Sequence, residues 1–156
     1  MTIKIKKLHK DAKIPEYAHG ADQDAGLDLC AVEEVLLTPG IPSLVKTGLS
    51  IELPTGYEAQ IRSRSGLALK YGIRVLNSPG TIDPSYRGEI GVILQWDGWK
   101  PNYDRVKDGW QDKLYRVMPG DRIAQMVIAQ YCAVDFEEAE LTDSERGAGA
   151  FGSTGR

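Results

Sequence analysis

Along most of this chain, apolar residues recur at every second position or in short runs, and Gly and Pro break the runs at close intervals. Ile3-Lys4-Ile5-Lys6 alternates at period two and predicts an opening strand, with Leu8 extending its apolar side. Residues 12–23 carry Pro15, Gly20 and several polar side chains, which predicts a loop. The run DAGLDLCA at 24–31 then enters a strand. Further strands are predicted at 35–37, 44–53, 57–61, 89–95 and 122–130. Thr38-Pro39-Gly40-Ile41-Pro42, Pro54-Thr55-Gly56 and Met118-Pro119-Gly120 read as turns between them. One short helix is predicted, over 67–71, with Ser65 as its N-cap. Many short strands with such frequent punctuation predict an all-β sandwich or barrel.

The pattern fails where chemistry is expected. From Arg62 to Glu89 nearly every second position is polar, charged or Gly, although both flanks read as apolar strands. Its first half, RSRSGLALKY, places Arg62 and Arg64 beside the start of the predicted helix. Free N–H groups and planar guanidinium donors there suit a phosphate. A capped surface helix with two solvated arginines fits the same residues. The second half, GTIDPSYRG, reads as a strand end, a Pro turn and a strand start. Asp83, on the strand side of that turn, would be held rigidly enough to orient a water for attack on phosphorus. An Asx-type turn, with Asp83 satisfying nearby N–H groups, is the structural alternative; Tyr86 reads equally as a half-buried strand tyrosine. Asp28 and Gln125 each interrupt an apolar run elsewhere, and a strand-edge Asp facing water is the plain account of the first.

Two other stretches change texture. Residues 96–118 hold Trp96, Trp99 and Trp110 with Tyr103, Tyr115 and many charges, which predicts a long hairpin extending from the sheet. Its aromatic residues suit either self-packing across the hairpin or contact with a protein partner. The C-terminal run RGAGAFGSTGR is too rich in glycine to pack alone, and predicts an arm over about 142–156. Its N–H groups, with Ser153 and Thr154, could wrap a phosphate.

The 156 residues suit one domain with a sizeable core. A formal net charge of −3 argues against a nucleic-acid-binding face and leaves the local cluster Arg62, Arg64, Lys70, Arg74 and Arg87 as an anion pocket. Cys30 and Cys132 sit in apolar contexts and read as buried thiols rather than a disulfide. His9 and His19 lack metal-ligand spacing, and no apolar run approaches membrane-spanning length. A cytoplasmic, reducing setting without a membrane partner is expected.

Five segments in order, AGLDL at 25–29, RSRSGLA at 62–68, GTIDPSYRGE at 80–89, GDRIAQ at 120–125 and RGAGAFGSTG at 146–155, resemble the homotrimeric dUTPases. The resemblance implies a jelly-roll-like β fold, a homotrimer with active sites shared at subunit boundaries, and hydrolysis of dUTP to dUMP and pyrophosphate. It implies that Asp83 holds the attacking water, and that Tyr86 lies against the deoxyribose and rejects a 2′-hydroxyl. Asn77 and the backbone of Gly80, Thr81 and Ile82 would read the uracil edge. Arg64, Ser65, Gly66 and Gln125 would hold phosphates. Asp28 would act through water on a Mg²⁺ carried by the triphosphate. Arg146, Phe151, Gly152, Ser153 and Thr154 would arrive on the arm of a neighbouring chain, with Phe151 stacked on uracil. The family usually joins its third and fourth motifs by a shorter turn than 96–118. Some phage-encoded members carry an insertion there, so a phage-type member is expected. The related dCTP deaminases share the Arg-Ser segment and use a Glu near the place of Glu89, but the intact GTIDPSY and the tail favour dUTP hydrolysis. A regulator acting through the Trp-rich segment is the reading from another functional class.

Overall fold

A computed structural model describes residues 1–98 and 114–150. The described residues form eleven strands and one helix, all strand pairs being antiparallel. The largest sheet has four strands in the order β2 (Leu27–Cys30), β11 (Arg122–Gln130), β6 (Tyr57–Arg62), β8 (Gly80–Ile82). A three-stranded sheet runs β4 (Ser43–Lys46), β9 (Gly91–Trp96), β7 (Ile73–Val75). Two pairs complete the body, β1 (Lys4–Lys7) with β5 (Leu49–Glu52), and β10 (Tyr115–Val117) with β3 (Val35–Leu37). This is the all-β architecture expected from the strand pattern and the jelly-roll-like fold that the resemblance implied.

Alternation along the strands builds the core. In β9 every second residue, Val92, Leu94 and Trp96, is buried, and in β6 Ala59 and Ile61 are. Leu29, Leu37, Leu49, Ile73, Ile90, Leu94 and Ile123 are fully buried, each contributing about 1.5–3 kcal/mol relative to exposure.

Several expectations are corrected by packing. The run 44–53 is two strands, because Gly48 turns the chain with φ +67° between β4 and β5. A strand absent from the sequence reading, β7, follows the helix. The helix α1 (Ser65–Tyr71) begins two residues earlier than expected. Its cap is Arg64, in an extended conformation and without a side-chain cap bond, so Ser65 is the first helical residue rather than the cap. At the other end Gly72 adopts the left-handed conformation, and its N–H meets the carbonyls of Leu67 and Ala68.

Residues 96–118 are not one excursion. Trp96 is 2% exposed in β9, and Tyr115–Val117 form β10 against β3, so the two flanks enter different sheets instead of pairing as a hairpin. Tyr115 packs between Trp96 and Tyr71, with ring centroids 6.1 Å and 5.4 Å away. Trp99, Tyr103 and Trp110 lie outside the described residues. The thiols are free, but Cys132 is exposed and Cys30 only half-buried, because position 132 follows the end of β11 on a chain that has left the body.

Candidate active site

Residues 73–93 fold back on themselves and leave a cleft. After β7 the chain turns through Leu76–Pro79, including a cis Ser78–Pro79 peptide, into β8, which pairs with β6 as Ile61↔Gly80 and Gln60↔Thr81. A Cβ at Gly80 would press on the Asn77 amide nitrogen at 3.0 Å, so the bare glycine lets that amide lie close to the strand. Asp83 follows immediately on β8, and its carbonyl accepts the Tyr86 N–H at 3.1 Å, closing the turn. Among the described residues no backbone N–H is found on the Asp83 carboxylate, so the turn does not depend on an Asx bond. The resulting cleft, about 230 Å³, is lined by Asn77, Gly80, Thr81, Ile82, Asp83 and Tyr86, with apolar walls from Ile61, Val75 and Val92. The structure therefore gathers six of the expected site residues in one place.

Arg64, Asp28 and Gln125 form a second group. Sheet register sets Asp28 opposite Gln125, and Gln125 opposite Arg62. Gly26 makes room for Gln125, whose Cβ would lie 3.3 Å from a Cβ at that glycine. The Asp28 side chain, 11% exposed, accepts from Arg64 Nε at 3.1 Å and from Arg122 Nη1 at 3.1 Å. It is not a water-facing edge residue but the acid of a two-arginine clamp. A bulge between Arg122 and Ala124 shifts the pairing of β11 with β2, and Arg64 Nη1 donates to the Arg122 carbonyl at 3.0 Å. Arg122 was not among the expected site residues. Its place opposite Cys30 across a bulge is tertiary information.

The remaining residues are spread out. Ser65 is exposed at the helix start, and the space beside Gly66 where a side chain would stand is open. Ser63, flanked by the two arginines, uses its hydroxyl to accept the Val75 N–H at 2.9 Å. Arg146 is exposed, its Nε donating to the Gly149 carbonyl at 2.9 Å. Phe151, Gly152, Ser153 and Thr154 lie outside the described residues. Glu89, the residue that recommended a deaminase, accepts the Gly48 N–H at 2.8 Å and so serves the backbone.

Among the described residues no three His, Cys, Asp or Glu side chains cluster to hold a metal, and no helix is long and apolar enough to cross a membrane. Both Asp28 oxygens already accept from guanidinium groups. An ion at this site would have to be carried mainly by the ligand's oxygens.

A family model described as dUTPase matches residues 10–100. The chain is 53% identical, over 100% of its own length and 97% of the relative's, to a deoxyuridine 5'-triphosphate nucleotidohydrolase of Solibacter usitatus. Among solved structures, a mutant of the Staphylococcus bacteriophage 80alpha dUTPase with dUpNHpp aligns with a TM-score of 0.81 at 30% identity, covering 99% of both chains. A mutant dUTPase from phage phi11 of S. aureus, whose structure describes coordination of a structural Mg(II) ion, aligns with a TM-score of 0.77 at 27% identity, over 90% of this chain and 98% of that one. Sequence and architecture agree over essentially the full length, in bacterial and phage proteins alike, and the chain belongs to the dUTPase family.

Proposed function

We propose that the chain hydrolyses dUTP to dUMP and pyrophosphate, with Asp83 orienting the attacking water. The observation that carries this reading is the cleft that unites Asn77, Gly80, Thr81, Ile82, Asp83 and Tyr86 from one short span of chain. Backbone groups of Gly80, Thr81 and Ile82, which line the cleft with Asn77, offer with its amide the donors and acceptors a uracil edge requires. Tyr86 at the rim would pack against the sugar and leave no space for a 2′-hydroxyl. Asp83 would accept a proton from a water as its oxygen attacks the α-phosphorus. The bond from that phosphorus to the oxygen bridging to the β-phosphate breaks, and pyrophosphate leaves with the electron pair.

In one chain the nucleoside cleft and the arginine group are separate. We infer that neighbouring subunits of a homotrimer bring Arg64, Ser65, Gly66 and Gln125 to the triphosphate. The open space beside Gly66 supports this, since nothing among the described residues requires glycine there. The arm bearing Arg146, Phe151, Gly152, Ser153 and Thr154 would complete the site from another copy. Residues 131–150 are exposed almost throughout and carry Phe136 and Leu141 at 96% and 92% exposure. Mg²⁺ would ride on the triphosphate oxygens, supplying neutralisation of the leaving group, with Asp28 reaching it through water.

The test is pyrophosphate release from dUTP, with UTP, dCTP and dTTP in parallel, with and without Mg²⁺. Selective hydrolysis of dUTP is expected, and Asp83→Asn should lower kcat by about 10³-fold or more with little change in KM. Unaltered turnover in that variant would remove Asp83 from the mechanism.

A further inference from the structure

Among the described residues, two polar side chains are buried with the core: Thr47 at 0% and Ser50 at 6% exposure. A buried hydroxyl costs stability unless it finds a partner, and both find theirs on the same stretch of backbone. Thr47 Oγ1 donates to the Ile90 carbonyl at 2.6 Å, and Ser50 Oγ donates to the Arg87 carbonyl at 2.8 Å. Between those points the Glu89 carboxylate accepts the Gly48 N–H at 2.8 Å, and the Ile90 N–H donates to the Leu49 carbonyl at 2.7 Å. Residues 87–90 are thereby stapled to residues 47–50.

The stapled backbone is the seat of Tyr86. Its phenol donates to the Glu89 carbonyl at 2.8 Å. Its ring lies so close over Gly88 that a Cβ there would overlap the phenol oxygen and the carbon bearing it. Repulsion rises steeply as atoms approach, so the room left for a sugar hydroxyl depends on holding this ring to a fraction of an ångström.

We propose that Thr47, Ser50, Gly88 and Glu89 are positioning residues for Tyr86, and that they set how strictly the cleft rejects a ribonucleotide. This rests on the reading that Tyr86 faces the deoxyribose. Hydroxyls at 47 and 50 fix the carbonyls on either side of Glu89, the Glu89 carboxylate fixes the residue between them, and the bare Gly88 lets the ring settle against the backbone.

Thr47→Val deletes the hydroxyl and keeps the shape, Thr47→Ser keeps the hydroxyl, Ser50→Ala is a second deletion, and Gly88→Ala pushes the ring outward. Steady-state kcat and KM for dUTP and UTP would be measured on each, well below its melting temperature. The ratio of kcat/KM for dUTP to that for UTP should fall about tenfold in Thr47→Val, Ser50→Ala and Gly88→Ala, and stay within about twofold in Thr47→Ser. Loss of melting temperature with an unchanged ratio in all three would reduce these groups to core architecture and overturn the proposal. Tyr86→Ala, run beside them, separates the two layers. If it admits UTP while the positioning variants do not, the proposal alone fails; if it does not admit UTP, the sugar-facing reading fails and the proposal falls with it.

Discussion

At the scale of single residues, Asp28 shows how one carboxylate can hold an architecture together. Its two oxygens bind Arg64 from the segment before α1 and Arg122 from the bulge of β11, so it ties three distant parts of the chain together. Asp28→Asn keeps the shape and removes the charge that compensates a guanidinium only 22% exposed. The variant should lose about 1–2 kcal/mol in urea unfolding, and its KM for dUTP should rise as Arg64 loses its orientation. The two thiols differ for an equally local reason. Burial pushes the Cys30 thiol up, while Cys132 is exposed. With an alkylating reagent near neutral pH, Cys132 should react at least about tenfold faster, read by mass spectrometry of the labelled peptides.

At the scale of elements, the break between β4 and β5 matters more than either strand. Gly48 has φ +67°, and a Cβ there would meet His9 Cβ at 2.8 Å and both Ala12 Cβ and Val32 Cγ1 at 3.0 Å. Strain and collision act in the same direction, so Gly48→Ala should cost about 2–4 kcal/mol, measured by thermal or denaturant unfolding. The same break sets Thr47 and Ser50 on either side of the turn, facing the 87–90 segment. A straight strand over 44–53, as alternation alone suggests, would lack that turn.

At the scale of the whole molecule, the segment between the third and fourth motifs is partly body. Deleting 97–117 would remove β10, uncover Leu37 and strip Tyr115 from Trp96, so the protein should lose about 3–5 kcal/mol or fail to fold. A deletion intended to test a protein partner has to stay within 99–113. The alkaline limit of stability is also a property of the whole packing. Burial raises both the Cys30 thiol and the Tyr115 phenol above their ordinary values of 9.0 and 10.0. The folded state holds both protons more tightly than the unfolded one, so their contribution is complete below about pH 9 and is lost as pH rises through the raised values. Thermal melts from about pH 7 to about pH 10.5 should show the loss beginning near the thiol's range, and Cys30→Ala should delay its onset.

What the sequence determined by itself was the kind of fold and which residues line the cleft. Period-two alternation with Gly and Pro punctuation is a local signal, and so is the run Gly80-Thr81-Ile82-Asp83-Pro84, because a strand end and a Pro turn are set by neighbours in the chain. Six site residues lie within the short span from Asn77 to Tyr86, which is why the sequence could place them together. Tertiary structure decided the rest. Whether Asp28 faces water or two arginines depends on a register and a bulge between strands far apart in the chain. The division of 96–118 between body and connection depends on β10 finding β3 rather than β9. Thr47 and Ser50 lie in no motif, and Gly88 lies in the third motif without a sequence signal for what it touches. Their roles come from hydrogen bonds and contacts that exist only once β5 lies against the segment leading into β9.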